Sequence, residues 1–206
     1  MSKCLTAATG LQESVREPAV SMLDAAVNND PAKDDLLILV DVLDRQIGTA
    51  SKLKAHVDGL LHRAFSVVLV RRRGEAWEIL LTKRAEGKYH SAGLWTNACC
   101  SHPRAGESLD EAVPRRLKEE LGIEGVDCRE VGSFVYRHVF ADGLSEYEYD
   151  HTFVAAYDGE VHPDPTESSD ARWVSEDELV AGLCERPDEF SAWCAPAMSL
   201  ALRALS

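Results

Sequence analysis

Three groups of residues have types and spacings that could do chemistry. Cys99-Cys100-Ser101-His102 brings a thiol and an imidazole within two residues of each other, groups that hold protons or bind metals. Glu146 and Glu148 lie two apart in Glu146-Tyr147-Glu148. On a strand such residues share one face, roughly 6 to 7 Å apart at the α-carbons, so both carboxylates can converge on one ion. Arg116, Glu119 and Glu120 form the polar side of a helix whose apolar stripe is Leu109, Val113, Leu117 and Leu121, widened by Ala112. Together these groups suit metal-assisted or acid–base chemistry on an anionic small molecule.

Positioning them requires a sheet and its covering helices. Leu36 to Val42 predicts a strand, closed by a turn at Asp44-Arg45 and Gly48. Ala64 to Val70 predicts a second strand. It is joined through a solvated, arginine-bearing turn at 71–76 to a third over Trp77 to Leu81, which makes a hairpin. Ser108 with Glu111 is a capping box, and Pro114 predicts a kink or a late start in the helix that follows. Val131 to Phe140 and Glu146 to Tyr157 have the aromatic and β-branched content of strands, with Asp142-Gly143 as their turn. Ala171 to Val174 is a short strand. Ser175 with Glu178 caps a further helix, and Ala195 to Leu205 is the last.

Composition excludes several classes. The 206 residues, 45% of them hydrophobic, suffice for one well-filled domain. A formal charge of −13 argues against nucleic acid, which is bound through clustered Lys and Arg. A few local cations can still dominate a pocket for an anionic ligand. No apolar run reaches the ~18 residues of a membrane span. The N-terminal stretch has no signal-peptide pattern and carries Glu13, Glu17, Asp24 and Asp30, unlike acid-poor transit peptides. The expectation is a cytoplasmic protein with reduced thiols. The six cysteines include no Cys-x-x-Cys pair, and only Cys99-Cys100 has a chemical setting.

The segment from Gly106 to Ile123 is similar to a Nudix box, the loop-helix-loop that holds divalent metal against a diphosphate. Glu107, Arg115, Leu117, Glu119, Glu120 and Ile123 stand where the pattern wants them. Ser101 replaces its opening glycine, and Arg116 replaces a glutamate that a hydrolase uses for metal. With Leu61-His62-Arg63-Ala64-Phe65-Ser66, Leu94-Trp95-Thr96-Asn97, Cys100-Ser101-His102-Pro103 and Glu146-Tyr147-Glu148, the chain resembles the type I isopentenyl-diphosphate Δ-isomerase family from about Leu36 onward.

That resemblance implies an α/β (α+β) fold, a Nudix-type mixed β-sheet sandwiched between α-helices. One domain would span residues 34–206, after an N-terminal extension at 1–33. It implies conversion of isopentenyl diphosphate to dimethylallyl diphosphate by protonation and deprotonation through a tertiary carbocation. His56, His62, His102, Glu146 and Glu148 would hold a divalent ion (Mn2+, Mg2+ or Zn2+), with His56 set closer to His62 than in some relatives. His90, His138, His151 and His162 match no ligand position. Glu120 would hold a Mg2+ bridging to the diphosphate.

Cys100 and the Glu148–Tyr136 pair would exchange the protons. Both orders remain open, with protonation from Glu148–Tyr136 and removal by a Cys100 thiolate preferred. The ring face of Trp193 would stabilise the cation, and Lys52, Arg84, Lys88 and Arg116 would bind the diphosphate. The implied partner is this small molecule, without nucleic acid or membrane, and the chain would be a monomer or weak homo-oligomer. Two other readings are a Nudix hydrolase of a nucleoside or related diphosphate, and a metal-stabilised interaction module without turnover. The hydrolase leaves Arg116 unexplained, and the module leaves Arg84, Lys88 and Arg116 unexplained.

Overall fold

Strand β3 (His62–Arg73) is the hub of the molecule. In the computed structural model, which describes residues 36–206, it is buried from Ala64 to Val70. The extension expected over 1–33, and Cys4, lie outside the described residues. One edge of β3 pairs in parallel with β8 (Ser145–Ala156), from His62 opposite Glu148 to Val70 opposite Ala156. Antiparallel partners share its other edge in turn. They are β1 (Leu37–Val40) at His62, β6 (Cys99–Ser101) at residues 65–67, and β4 (Ala76–Arg84) at residues 70–73. β2 (Gln46–Ala50) extends β1, β5 (Trp95–Asn97) and β9 (Ser168–Ser175) flank β4, and β7 (Arg129–Val139) pairs with β8.

A strand covered on both faces reads as a continuous apolar run, as β3 does. Its odd residues Phe65, Val67 and Leu69 pack on Ala112, Val113, Leu117 and Leu121 of α2 (Leu109–Leu121). Its even residues Val68 and Val70, with Val154, pack on Leu179 of α3 (Glu176–Glu185) and on Cys194, Met198 and Ala201 of α4 (Cys194–Leu205). The result is the expected mixed sheet between helices.

Local differences from expectation have physical causes. Gly48 lies inside β2 opposite Leu39, and the turn closes at Arg45, where Asp41 accepts from the Leu43 and Arg45 backbones. The arginines continue β3 instead of forming a solvated turn. Arg71 bonds Glu78 at 2.6 Å and Arg72 stacks 3.9 Å from the Trp77 ring, so only Gly74 and Glu75 make the turn. The helix α2 starts at Leu109 and runs through Pro114. Pro114 and Asp110, whose carbonyl the proline leaves without its helical donor, are both exposed, so water can take that bond. Helix α1 (Lys52–Asp58) had no periodic signal of its own. Ser51 caps it, accepting from the Lys54 backbone, and Gly59 ends it at φ 61°.

Candidate active and metal site

The alternation of β6 separates its two cysteines. Cys99 is buried in the core against α2, while Cys100 faces the opposite side, toward Ser66, Asp150 and Trp193. The two shortest contacts of the Cys100 sulfur are one of each kind. Its thiol donates to Asn97 Oδ1 at 2.9 Å, and Trp193 Nε1–H donates to the sulfur at 2.9 Å. The Asn97 amide cannot turn over, because its nitrogen donates to the Val67 and Cys99 carbonyls at 3.1 and 3.0 Å. Burial, then the charge of Asp150, pushes the Cys100 thiol up to about 12. The expected Cys100 thiolate therefore meets a site that holds the sulfur protonated, and the indole N–H and the Thr96 and Ser66 hydroxyls, the latter two at 3.7 and 3.8 Å, are the groups able to stabilise charge on it. Asp150 is itself pushed well up by burial and by Glu148, and accepts from Ser66 Oγ at 2.8 Å.

Across the cavity, sheet register brings together the two residues expected to handle the other proton. Tyr136 on β7 lies directly opposite Glu148 on β8, and its hydroxyl donates to Glu148 Oε2 at 2.7 Å. The Glu148 carboxyl is held below its ordinary value. Burial and Glu146 push it up, but the hydrogen bond from His102 and the nearby His62 imidazole, 3.6 Å away, outweigh them.

The imidazoles come from three places. His56 ends the inner face of α1, His62 opens β3 beside Glu148, and His102 follows β6. Gly59 makes the close approach of α1 possible, since a Cβ there would lie 2.9 Å from Ser145 Oγ. His56, His62, His102 and Glu146 offer ligand atoms within 4.8 Å of one another. Their hydrogen bonds fit a cation. His56 Nδ1 donates to the Lys52 carbonyl at 2.6 Å and His62 Nδ1 to the Leu60 carbonyl at 2.8 Å, so in neutral rings both Nε2 atoms present lone pairs. His62 Nε2 is buried without a hydrogen-bond partner, and His56 Nε2 faces Glu146 Oε2 at 3.0 Å. Lone pairs turned toward carboxylates suit a divalent ion between them. The short His56–His62 spacing is accommodated by α1 and its glycine, so His56 reaches the cluster. Glu148 Oε1 adjoins it, 2.8 Å from His102 Nε2 and 3.6 Å from His62 Nε2.

Lys52, Arg84, Lys88, Arg116, Tyr136, Glu146, Glu148, His102, Cys100 and Trp193 line one cavity. Lys52 stands one helical turn before His56, 5.4 Å from the Tyr89 ring, and burial lowers the affinity of its amine for a proton. Arg84 lies 5.2 Å over the Trp193 ring and donates to the His90 carbonyl at 3.2 Å. Arg116 bonds Glu119 at 2.8 Å, Glu120 at 2.7 Å and Glu167 at 3.2 Å. Glu120 does not line this cavity. It is 6% exposed, tied to Arg116, and borders a smaller adjoining cavity with Glu167. Burial raises its carboxyl despite the guanidinium.

Four residues of the site escaped sequence reasoning. Asn97 lay in the motif but had no role, and Asp150 continues the Glu146, Glu148 alternation that could have found it. Glu167, which pairs with Lys88 and Arg116, has no local signal. His90, set aside with three other histidines, is 2.5 Å from Glu146 Oε1. Those three belong elsewhere: His138 and His162 are exposed, and His151 pairs with Asp44 and Glu130.

Comparison with known proteins follows the same lines. The NUDIX domain family matches residues 60–194. Isopentenyl-diphosphate Delta-isomerase 2 of Photorhabdus laumondii is 46% identical over 162 residues, covering 78% of this chain and 88% of that protein. Isopentenyl-diphosphate Delta-isomerase of Photobacterium profundum is 43% identical over 175 residues, covering 84% and 97%. The crystal structure of DR0079 from Deinococcus radiodurans shares the fold, with a TM-score of 0.62 at 17% identity over 81% of this chain and 97% of that one. The chain is a NUDIX-domain protein and belongs to the isopentenyl-diphosphate Delta-isomerase family.

Proposed function

We propose that the protein isomerises isopentenyl diphosphate to dimethylallyl diphosphate, using Cys100 and the Glu148–Tyr136 pair to move protons. The observation that carries this is that one cavity is lined by the Cys100 thiol, by Glu148 bonded to Tyr136, and by four cations. A proton must reach the terminal alkene carbon, leaving a tertiary cation, and another must leave the carbon on the far side of that centre. The site holds its two proton-handling groups in opposite states, a raised thiol and a lowered carboxylate. Such separation is what paired acid and base roles require. Both orders of transfer use this pair.

Lys52, Arg84, Lys88 and Arg116 would bind the diphosphate, and Trp193, 3% exposed, would shield the cation from water. His56, His62, His102, Glu146 and Glu148 would hold a divalent ion, either Mn2+, Mg2+ or Zn2+. Bound there, the ion would keep Glu148 oriented and electrostatically tuned. Glu120 would share in holding Mg2+ against the diphosphate once Arg116 turns to the substrate. No helix among the described residues is long and apolar enough to cross a membrane.

The hydrolase reading is disfavoured because Arg116 stands where a hydrolase uses a metal-binding glutamate, and brings a cation among Glu119 and Glu120. Incubation with isopentenyl diphosphate and Mg2+ separates the readings. The allylic isomer is the expected product. Released phosphate would indicate hydrolysis, and neither product would indicate a module without turnover.

A further inference from the structure

We propose that His90 is a positioning residue for the metal site, holding one oxygen of Glu146 so that this carboxylate offers a cation only its other oxygen. The inference rests on reading the His/Glu cluster as a metal site. The two oxygens of Glu146 have different surroundings. Oε2 faces the cluster, 3.0 Å from His56 Nε2 and 3.9 Å from His62 Nε2. Oε1 turns away from it to His90 Nε2, at 2.5 Å.

The donor is held rigidly. The His90 ring stacks on Phe140 with centroids 4.6 Å apart and an interplanar angle of 18°, while Tyr89 packs at 4.4 Å and 87°. Its Nδ1 lies 3.4 Å from Ser91 Oγ, a hydroxyl able to donate to it, which leaves the ring proton on Nε2 for Glu146. The residue is 8% exposed, so water competes little for either atom. His90 is not one of the residues whose ligand atoms gather within 4.8 Å, so it acts on Glu146 and not on the ion directly.

A carboxylate free to turn can give a hard cation both oxygens. One oxygen tied to a buried imidazole leaves one, which fixes how many positions Glu146 fills. The same residue reaches the diphosphate end of the cavity, because its carbonyl accepts from Arg84 Nη2 at 3.2 Å. The loop carrying His90 thus joins a metal ligand to a substrate cation, so a shift of one is felt by the other.

The test uses the full chain, stripped of metal and titrated with Zn2+ against a competing chelator. His90→Leu keeps much of the packing volume and removes the N–H. His90→Gln keeps an N–H at similar reach. Support for a ligand is commonly worth about 10- to 100-fold in metal affinity. The leucine variant should bind Zn2+ more weakly by that factor, and the glutamine variant should stay within a few-fold of the unsubstituted protein. X-ray absorption of the zinc-loaded leucine variant should show added oxygen coordination as Glu146 turns. His162→Ala, at an exposed histidine, should change nothing. Equal weakening in both His90 variants would reduce the residue to packing, and wild-type affinity in the leucine variant would overturn the proposal. No zinc uptake by the unsubstituted protein would overturn the metal reading itself, and this inference with it.

Discussion

Cys99 and Cys100 carry the same side chain on consecutive residues, yet the pleat of β6 gives them opposite surroundings. Cys99 is 1% exposed among the residues packed on α2, whereas Cys100 lines the cavity. Cys100→Ala should lower turnover by about 10²- to 10⁴-fold, the usual range for a positioned acid or base. Cys99→Ala should retain most activity and lose about 1 kcal/mol of stability through a small cavity. Steady-state kinetics with thermal melts check both, and the reverse pattern would exchange their roles. Trp193 offers two separable features, a ring face and an N–H that meets the Cys100 sulfur at 2.9 Å. Trp193→Phe keeps a face and loses the N–H, and Trp193→Leu loses both. If the face steadies the cation, the leucine variant should be slower in kcat than the phenylalanine variant, with little change in KM. The rate of Cys100 alkylation should change alike in both, because neither can donate to sulfur. Equal kcat values would leave Trp193 with only its N–H role.

The elements position these side chains by register and by caps. β8 presents Glu146, Glu148 and Asp150 on one face, β7 sets Tyr136 opposite Glu148, and α1 places Lys52 and His56 one turn apart. α2 depends on the segment before it. Glu107 takes two bonds from Arg115, at 2.6 and 2.7 Å, and accepts from the Arg104 backbone at 2.8 Å. The Arg115 bonds hold the Glu107 carboxyl below the ordinary value of 4.5, against a smaller rise from burial. A lowered folded value means that the unfolded chain takes up the proton first. The stabilisation is then complete above about 4.5 and is lost as pH falls through the lower folded value. Glu107→Gln should cost about 1 kcal/mol or less at pH 7, given its contact with solvent. Its melts should converge with those of the unsubstituted protein on acidification. A gap that stays constant down to pH 3 would show that charge is not the cause.

At the scale of the molecule, the group that could hold a metal ion draws on α1, β3, the segment after β6, and β8. An ion bound by all four stabilises only the folded chain, by about 2.7 kcal/mol when it is present at 100 times its dissociation constant. For a domain of this size that corresponds to a rise in Tm of roughly 5 to 10 °C. Thermal melts with added Mn2+ or Zn2+, compared with melts in chelator, should show that rise, and His102→Ala should reduce it. A Tm indifferent to metal in the unsubstituted protein would count against the site.

Much of the fold was legible because periodicity is a local property. The four-residue stripe of α2, its Ser108–Glu111 box and the apolar run of β3 each report their own burial. The spacing of Glu146 and Glu148 reported a shared face, and the resemblance around Cys100 and Arg116 pointed to the site. Pairing is not local, and there the sequence alone stopped. The short strands β5 and β6 and the seven-residue α1 have too little length to show a period, and exist because β3, β4 and β8 provide their partners. His90 looked idle because its meaning depends on Glu146, and Glu167 was silent until folding set it between Lys88 and Arg116. Residue types and their spacing were enough to name the groups that could carry charge, protons and metal. Which of them meet was settled by folding, because burial and opposing partners act across the sheet and have no signature along the chain.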